Sequence, residues 1–142
     1  MRHPLAKDLE LKMRKVTMLL RKNTKSILAQ HDITLPQYYA LIQLRDQSLT
    51  MGELCSRLFL ASSTITDLID RMESQELVRR VRVENDRRII RIELLAGGRQ
   101  IIDRVIDDRL DFLSKRLDKI AEDKIEELIQ TTAELITLME EN

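Results

Sequence analysis

One segment decides the fold: Thr50–Leu94, which reads TMGELCSRLFLASSTITDLIDRMESQELVRRVRVENDRRIIRIEL. Apolar residues in its middle stand at i, i+3, i+4 and i+7, and this spacing puts them on one side of a helix, facing a core. They are Ile65, Leu68, Ile69 and Met72. The opposite side is short or polar, so it fits a nucleic-acid groove. We take these as the candidate groove-facing residues: Ser62, Ser63, Thr64, Thr66, Asp67, Asp70 and Arg71.

A two-stranded ribbon is predicted after this helix, because residues 79–94 alternate apolar and charged side chains around the tip Glu84-Asn85-Asp86-Arg87. The predicted strands are 77–83 and 88–94, and Gly97-Gly98 is expected to end the ribbon. The alternation assigns an inward and an outward set. The inward set is Val81, Val83, Ile90, Ile92 and Leu94, and the outward set is Arg80, Arg82 and Arg91.

Capping patterns place two helices in front of this segment's polar helix. Thr34-Leu35-Pro36-Gln37 combines an N-cap Thr, a Gln at N3 and a Pro in the first turn, and it predicts a helix to about Gln47. Thr50 and Glu53 repeat the capping pattern, so the next helix is expected to begin there and to run through Leu58.

The spacing of these helices is that of a helix-turn-helix. Residues 59–61 form the turn, and the helix with the groove-facing residues is predicted from Ser62 to about Gln75. Ala61 occupies the N-cap position, so Ser62 or Ser63 is expected to supply the capping oxygen instead. Helix, turn, helix and basic ribbon together predict a winged reader of double-stranded DNA.

Long amphipathic helices are predicted at both ends of the chain. Apolar residues recur in helical steps from Leu5 to about Gln30, and the helical period returns from Arg99 onward, with a break near residues 121–123. These apolar stripes exceed what one small winged domain can bury, so we expect a homodimer. The expected dimerisation residues are Leu5, Leu9, Met13, Ile102, Ile106, Leu128, Leu135 and Met139.

The predicted fold class is therefore mainly α with a small β-hairpin wing: a winged helix-turn-helix plus a helical dimerisation layer. We expect one domain over residues 1–142, with the DNA-binding region at 34–95 and the dimerisation region at 1–33 and 96–142. In the main interpretation the first helix packs half on its own domain and half on a partner chain. Contact of its basic face with DNA is the lesser alternative.

The formal net charge is zero, but the charge is unevenly distributed. Residues 1–30 hold eight Lys and Arg against two acidic residues, residues 99–142 hold seven against twelve, and residues 79–91 hold six Arg against two. Positive charge is thus concentrated in the ribbon, as nucleic-acid binding requires.

The sequence lacks an apolar membrane span and signal core and has a single Cys, so we expect a cytoplasmic protein without membrane partners, nucleoid-associated when bound.

Few residues offer other chemistry. Cys55 is interpreted as a small core residue rather than a redox switch. His3 and His31 have no clustered third ligand and are interpreted as solvated, so neither a metal nor a cofactor is expected. Tyr38 and Tyr39 either line an effector pocket or belong to the core, and we favour the core. No nucleophile and base pair or phosphate-binding loop can be assembled from local motifs, so an enzyme is not expected.

Two runs carry a family resemblance: LCSRLFLASSTITDLIDRMESQELVRR at 54–80 and NDRRIIRIEL at 85–94. They resemble the MarR family of bacterial winged-helix transcriptional regulators, and the order of elements is similar over nearly the whole chain. Asp86-Arg87-Arg88 matches the Asp-x-Arg motif of the family's wing. The resemblance implies that Arg88 reaches the DNA minor groove, that Asp86 helps to fix it, and that Arg87 and Arg82 are further wing residues.

Three positions depart from the family pattern. Glu76 stands where the family usually has Gly after the recognition helix, so a left-handed residue there is either strained or replaced. Leu95 stands where a Thr usually caps the fifth helix. Asp67 stands where a basic residue is common; its carboxylate can accept from cytosine N4 but is repelled by phosphates.

The resemblance also implies a function: a sequence-specific repressor that binds a pseudo-palindromic DNA operator as a homodimer. It further implies release by a small-molecule effector of aromatic or lipophilic character. The alternative is a winged-helix protein–protein interaction module without DNA-binding activity, against which the arginines of the ribbon argue.

Overall fold

The chain folds into helices and one small sheet, and the computed structural model describes residues 1–141. The elements follow one another as α1 (Ala6–Gln30), α2 (Leu35–Leu44), β1 (Leu49–Thr50), α3 (Met51–Leu58), α4 (Ser62–Ser74), β2 (Val78–Val83), β3 (Asp86–Leu94), α5 (Ala96–Leu117) and α6 (Glu122–Glu140). The predicted mainly helical fold with a β-hairpin wing is confirmed. The chain divides into two compact units, Met1–Asp107 and the segment from Asp108 onward.

The predicted helix starts are confirmed in their atomic detail. The Thr34 hydroxyl accepts from the Gln37 amide at 3.3 Å, and Gln37 Oε1 accepts from the Thr34 amide at 2.9 Å, which completes the capping box. The Thr50 hydroxyl accepts from the Glu53 amide at 3.1 Å. α2 ends at Leu44, before the predicted Gln47, because the chain must extend to bring Leu49 into the core and pair it with β3.

β3 is the central strand of the sheet, with β1 on one side and β2 on the other, both antiparallel to it. Along the hairpin, Arg82 lies opposite Ile90, but the next pair is Val83 with Asp86. The three residues of β3 between these pairs, 87–89, therefore have no partners on β2 and form a bulge at the tip. β3 begins at Asp86 rather than at the predicted Arg88, since this last pair closes the turn.

The predicted facing of β2 was wrong by one residue. Arg80 lies opposite Ile92 and Val81 lies opposite Arg91, and residues opposite each other share a face of the sheet. Val81 and Val83 therefore lie on the other face from Ile92, while Val78 and Arg80 lie on its own face. The alternation at residues 80–83 favours the predicted phase, but Val78 is buried (0% exposed) and selects the other one.

The core of the first unit is built around α2, α4 and the base of the sheet. The predicted inner face of α4 is confirmed: Ile65, Ile69 and Met72 are fully buried and Leu68 is half-buried. α1 contributes only Ile27 and Leu28 to this buried set. The remaining buried apolar residues are Ile33, Tyr38, Ala40, Leu41, Leu44, Leu49, Leu54, Leu77, Val78, Ile92, Ile102 and Val105.

α4 ends in a Schellman motif with Glu76 in the left-handed position. Glu76 has φ 60°, its amide donates to the Glu73 carbonyl at 3.0 Å, and the Leu77 amide donates to the Met72 carbonyl at 3.0 Å. Leu77 and Met72 are both buried, which gives the apolar contact that accompanies this motif. The left-handed C-cap of the family is thus kept without its usual Gly, at the cost of a strained Glu.

Gly97 and Gly98 were expected to end the ribbon. They lie instead in the first turn of α5. A Cβ at Gly97 would meet the Glu76 carbonyl oxygen at 2.8 Å, and a Cβ at Gly98 would overlap the Leu77 carbonyl oxygen and a Leu94 methyl. The two glycines are therefore needed because α5 starts in close contact with the strand entering the wing.

The second unit contains the end of α5 and all of α6. α5 ends at Leu117 and α6 begins after Ala121. The observed break between the helices therefore lies slightly earlier than the predicted one near residues 121–123. The Arg116 guanidinium lies over the Phe112 ring, 3.4 Å from its centre. α6 has no buried residue within the chain. Among residues 1–141, no helix is long and apolar enough to cross a membrane.

Candidate nucleic-acid interface

The polar side of α4 is open to solvent over its whole length. Every candidate groove-facing residue is exposed: Ser62, Ser63, Thr64, Thr66, Asp67, Asp70 and Arg71. The Thr66 hydroxyl donates to the Ser62 carbonyl at 2.9 Å, and this bond orients its methyl and oxygen on the surface. The face that the sequence predicted is therefore present as a continuous polar surface on a helix whose other side is fixed in the core.

The N-terminus of α4 has no side-chain cap. Ala61 is the N-cap residue, with extended backbone, and no hydrogen bond within the described chain caps the helix from Ser62 or Ser63. The expectation that a serine replaces the missing cap was wrong, since both serines already lie inside the first helical turn. The first amides of α4 consequently face outward, where an anion such as a DNA phosphate can accept from them.

The turn before α4 contains an exposed aromatic residue that the sequence analysis did not single out. Phe59 has left-handed backbone, with φ 55° and ψ 39°, and its side chain is 93% exposed. Left-handed geometry is unfavourable for a bulky residue, and the turn of a helix-turn-helix is what imposes it here. Full exposure of an aromatic ring next to α4 was not foreseeable from periodicity, which assigns apolar residues to the core.

The tip of the wing is organised by Asp86 and Arg88. Asp86 Oδ1 accepts from both the backbone amide and the Nε of Arg88, each at 3.1 Å, and Asp86 Oδ2 accepts from Arg88 Nη2 at 3.3 Å. The side chain of Arg88 stays 91% exposed, whereas that of Asp86 is 33% exposed. The hydrogen bonds from the Arg88 side chain, and then that from its backbone, hold the pKa of Asp86 below its usual value. Asp86 is therefore ionised and restrains a guanidinium that points away from the protein.

The bulge explains why Arg88 projects. Residues 87–89 have no strand partner, and within the described chain neither a hydrogen bond nor an ion pair involves the side chain of Arg87. Arg82 is exposed next to them, and its Nη1 donates to the Arg87 carbonyl at 2.6 Å. Arg82, Arg87 and Arg88 thus form an outward cationic cluster that the strand ladder does not cover.

The other arginines of the ribbon are paired with groups of the protein itself. Arg79 pairs with Glu93 across the hairpin at 2.9 Å. Arg91 was expected to point outward, but it is half-buried, and it donates to the hydroxyl and the carbonyl oxygen of Ser48 at 3.0 and 2.7 Å. These contacts fix the wing to the segment before β1, so the charge available to a ligand is smaller than the six arginines imply.

Arg80 departs most from expectation, because it faces α4 instead of solvent. Its Nη2 lies 2.7 Å from Asp70 Oδ1 and its Nη1 lies 2.8 Å from Glu73 Oε1. Its backbone amide also donates to Glu73 Oε2, at 3.0 Å. Partial burial acts to lower the pKa of Arg80, but the hydrogen bonds and charges of Asp70 and Glu73 outweigh it and raise the pKa. One signal was available: Asp70 and Glu73 stand at i and i+3, on the side of α4 next to the strand.

A groove lies between the C-terminal half of α4 and the start of α2. It has a volume of about 410 Å³ and is lined by Asp32, Thr34, Gln37, Asp70, Arg71, Ser74 and Gln75. Gln37 is 4% exposed and donates to Gln75 Oε1 at 3.2 Å, and Gln75 in turn donates to the Asp32 carbonyl at 3.2 Å. Asp70 and Arg71 thus belong to the edge of the groove as well as to the face of α4.

The residues considered for other chemistry are placed as follows. Tyr38 is buried, as favoured, but Tyr39 is 44% exposed and so is not a core residue. Cys55 is half-buried and packs against the core. His3 accepts from the Leu5 amide at 3.1 Å. In the described part of the chain, no group of three or more His, Cys, Asp or Glu side chains could hold a metal ion.

The expected dimerisation residues differ in how far the single chain buries them. Most remain open to solvent in the single chain, with Leu5, Leu9 and Met13 in one unit and Leu128 and Met139 in the other. Leu135 and Ile106 are half-buried. Ile102 is 1% exposed within the core of its own unit, so it adds no area to a contact with a partner chain.

A helix-turn-helix with an exposed polar second helix, followed by a hairpin with an arginine tip, defines a winged-helix DNA-binding protein. The MarR family model matches residues 31–89. The HTH-type transcriptional regulator YsmB of Bacillus subtilis is 40% identical over 119 residues, which are 83% of this chain and 82% of that protein. The chain belongs to the MarR family of transcriptional regulators.

Solved structures agree with this assignment. A MarR family protein from Bacillus stearothermophilus is 36% identical and has a TM-score of 0.85, with 98% of each chain covered. A mutant of Staphylococcus aureus MepR, solved bound to an oligodeoxyribonucleotide, has a TM-score of 0.75 over 93% of this chain and 98% of its own. At 18% identity, MepR shares the fold.

Proposed function

We propose that this regulator is a homodimeric repressor that places α4 in the major groove and Arg88 in the adjacent minor groove of a pseudo-palindromic operator. The observation that carries the proposal is the wing tip, where Asp86 restrains an arginine that is 91% exposed. A narrow minor groove has a strongly negative potential, which attracts a guanidinium without requiring hydrogen bonds to particular bases. A restrained side chain also loses less entropy on binding.

Base reading falls to the exposed side of α4 in this proposal. The hydroxyls and amides near its N-terminus, from Ser62 to Thr66, would position the helix on phosphates and bases. Asp67 is the residue that sets sequence preference, since a carboxylate accepts from cytosine N4 and disfavours other groups at that place. Asp70 contributes less to base reading, because its carboxylate is already engaged by Arg80.

Homodimerisation is supported by the apolar surface that the single chain leaves open. α1 is about 38 Å long at 1.5 Å per residue and has only Ile27 and Leu28 fully buried, and α6 has no fully buried residue. Large exposed apolar patches mark interaction surfaces. The proposed dimerisation regions are 1–33 and 96–142, and the proposed DNA-binding region is 34–95. The basic N-terminal and acidic C-terminal regions favour contact between the two ends of different copies.

The complex of MepR with an oligodeoxyribonucleotide supports the DNA-binding part of this proposal, because that protein shares the fold. Control by a small aromatic or lipophilic molecule remains the mode that the family resemblance implies. The proposed location is the cytoplasm, where a regulator meets chromosomal DNA. The alternative of a protein–protein interaction module is less well supported, because it gives no role to the exposed arginines of the tip.

Selection of duplexes from a random pool by the purified protein, followed by titration of the recovered sequence, tests this proposal. We expect a two-fold pseudo-palindrome with half-sites about one DNA turn, roughly 34 Å, apart, occupied by two chains per duplex. The logarithm of the binding constant should fall linearly with the logarithm of salt concentration. A scrambled duplex of the same composition is the control. Equal affinity for both duplexes, or one chain per site, would contradict the proposal.

A further inference from the structure

We propose that Arg80 is a positioning residue for DNA binding: it fixes the wing relative to α4, so that the two elements enter neighbouring grooves together. This inference rests on the function proposed above, in which α4 and Arg88 both contact the duplex. It gives a task to an arginine that is half-buried against α4 and engaged by carboxylates of the protein itself. Arg80 therefore acts on the DNA only through the placement of Arg88.

The contacts of Arg80 join β2 to one side of α4. Its guanidinium binds Asp70 at 2.7 Å and Glu73 at 2.8 Å, and its Nη2 lies 3.5 Å from the Thr66 carbonyl oxygen. These three residues stand at i, i+4 and i+7, so the guanidinium spans two turns of the helix. With a side chain that is only 24% exposed, Arg80 is better shielded than the other paired cations of the ribbon.

Glu73 makes this connection resistant to sliding and to rotation. One of its oxygens accepts from the backbone amide of Arg80 at 3.0 Å, while the other accepts from the guanidinium of the same residue. Any shift of β2 along α4 therefore breaks two charge-assisted hydrogen bonds at once, and such bonds are stronger than neutral ones. Salt bridges on the surface lack this restraint, because each partner moves freely on a flexible stem.

The position of Arg80 along the hairpin transmits the restraint to the tip. Arg80 lies opposite the buried Ile92, at the base of the wing. Two residues further on, Arg82 bonds to the Arg87 carbonyl within the wing itself, and the bulge with Arg88 follows. A paired two-stranded ribbon moves as one body from its base. The orientation of the tip relative to α4 is therefore set at Arg80.

A double-mutant cycle between Arg80 and Arg88 tests the inference, with affinity for the selected duplex as the readout. In the parent protein, Arg88→Ala is expected to weaken binding at least about 5-fold. With Arg80→Met in place, the same change should weaken binding less than about 3-fold, because the wing no longer reaches the groove reliably. A merely structural role for Arg80 predicts the full loss in both backgrounds. That result would overturn the inference.

Arg79 supplies the matched control. It is also an arginine of β2 with a carboxylate partner, but that partner is Glu93 within the hairpin rather than a residue of α4. Arg79→Met should leave the effect of Arg88→Ala at its full size. If Arg79→Met suppresses that effect as strongly as Arg80→Met does, loss of a ribbon charge is the cause and the inference is wrong.

The effect of Arg80→Met could also arise from charge alone, because Arg80 neutralises two carboxylates that would lie near the DNA. A further variant separates this explanation from loss of the contacts. The variant Asp70→Asn, Glu73→Gln, Arg80→Met removes this repulsion together with the contacts. We expect it to keep the weak dependence on Arg88, whereas recovery of the full dependence would assign the Arg80 effect to charge. If Arg80→Met does not fold, Arg80→Lys replaces it: the charge is kept, the forked contact is lost, and the effect of Arg88→Ala should again fall below about 3-fold.

The cycle also distinguishes this inference from the proposed function. A parent protein that binds no duplex, or one whose affinity ignores Arg88→Ala, contradicts the proposed function. A parent protein that depends on Arg88, with the same dependence after Arg80→Met, contradicts only the role of Arg80. Circular dichroism of each variant shows whether the fold is kept.

Discussion

Asp86 holds Arg88 twice, once through the backbone amide and once through the side chain, so that a single carboxylate fixes both the turn and the direction of the guanidinium. The first prediction follows from this pair. Asp86→Ala should weaken DNA binding although it removes a negative charge, because Arg88 then samples unproductive rotamers. Fluorescence anisotropy on the selected duplex measures it. Simple electrostatics gives the opposite sign, so tighter binding by Asp86→Ala would disprove the restraint.

Arg88 itself gives the second prediction. Arg88→Ala should reduce the affinity by about 1 to 3 kcal/mol and lower the salt slope by about one unit per subunit. Arg88→Lys should recover only part of this loss, because an ammonium is more strongly hydrated and is not forked. Arg87→Ala, which removes a neighbouring cation without a restraining carboxylate, is the control and should have the smaller effect. Equal losses for Arg87→Ala and Arg88→Ala would show that the tip contributes only general charge.

Thr66, Arg71 and Asp67 provide the third prediction, on the face of α4. Thr66→Ala and Arg71→Ala should each weaken DNA binding while thermal unfolding changes little, because both side chains are exposed. Asp67→Ala should relax the preference at one base pair, if its carboxylate accepts from cytosine N4. Titration against duplexes changed at single positions measures this. A uniform gain in affinity on all duplexes would mean that Asp67 only repels phosphates.

The titration of Asp86 gives the fourth prediction. Since the hydrogen bonds from Arg88 lower the pKa of Asp86, the stabilisation they provide is present at neutral pH and is lost as the pH falls through that lowered pKa. The order of the wing tip should therefore stay constant from about pH 8 to pH 5. The carboxyl carbon shift of Asp86 in NMR should titrate below the ordinary pKa of an aspartate, and Arg88→Ala should move the midpoint upward. An unchanged midpoint would argue against the pair in solution.

The fifth prediction concerns the free energy of unfolding after exchanges at Glu76, Gly98 and Gly52, of which some should stabilise the fold and one should destabilise it. Glu76→Gly should stabilise the fold by about 1 kcal/mol, because the residue has φ 60°. Gly98→Ala should destabilise it by about 1 to 3 kcal/mol, since its Cβ would overlap the Leu77 carbonyl. Gly52→Ala is the control: it lies in α3, has only the Thr50 hydroxyl at 4.0 Å, and should stabilise by up to about 1 kcal/mol. Calorimetric unfolding compares the three.

The features that could be predicted from the sequence are those determined by residues within one short segment. The capping box of Thr34 and Gln37, the inner face of α4 and the pairing of Asp86 with Arg88 all involve residues a few positions apart. The family resemblance supplied the role of the Asp86 pair, which periodicity does not contain. The polar side of α4 followed directly from its apolar side, because the two share one helix.

The errors arose where a partner from another element decided the outcome. The phase of β2 depends on Asp70 and Glu73, which attract Arg80 to the face that alternation assigned to apolar residues. Arg91 is drawn inward by Ser48, and α2 stops early because Leu49 must enter the core. Ile102 was predicted to face a partner chain. The apolar stripe of a helix does not show which of its residues are buried within the same chain and which remain for a partner. Such contacts between distant segments leave no periodic signal.

The arginines of β2 also affect how molecules of this protein meet one another. β2 is an outer strand of the sheet, and its free edge offers backbone groups to which a strand of a second molecule could pair. Its sequence, VRRVRV, places a cation at half of its positions, and the bulge interrupts the regular ladder at the tip. The charged side chains keep this edge polar, and the bulge makes two such edges fit each other poorly. The wing can therefore stay exposed without seeding aggregation, and replacement of its arginines by neutral residues would remove that protection.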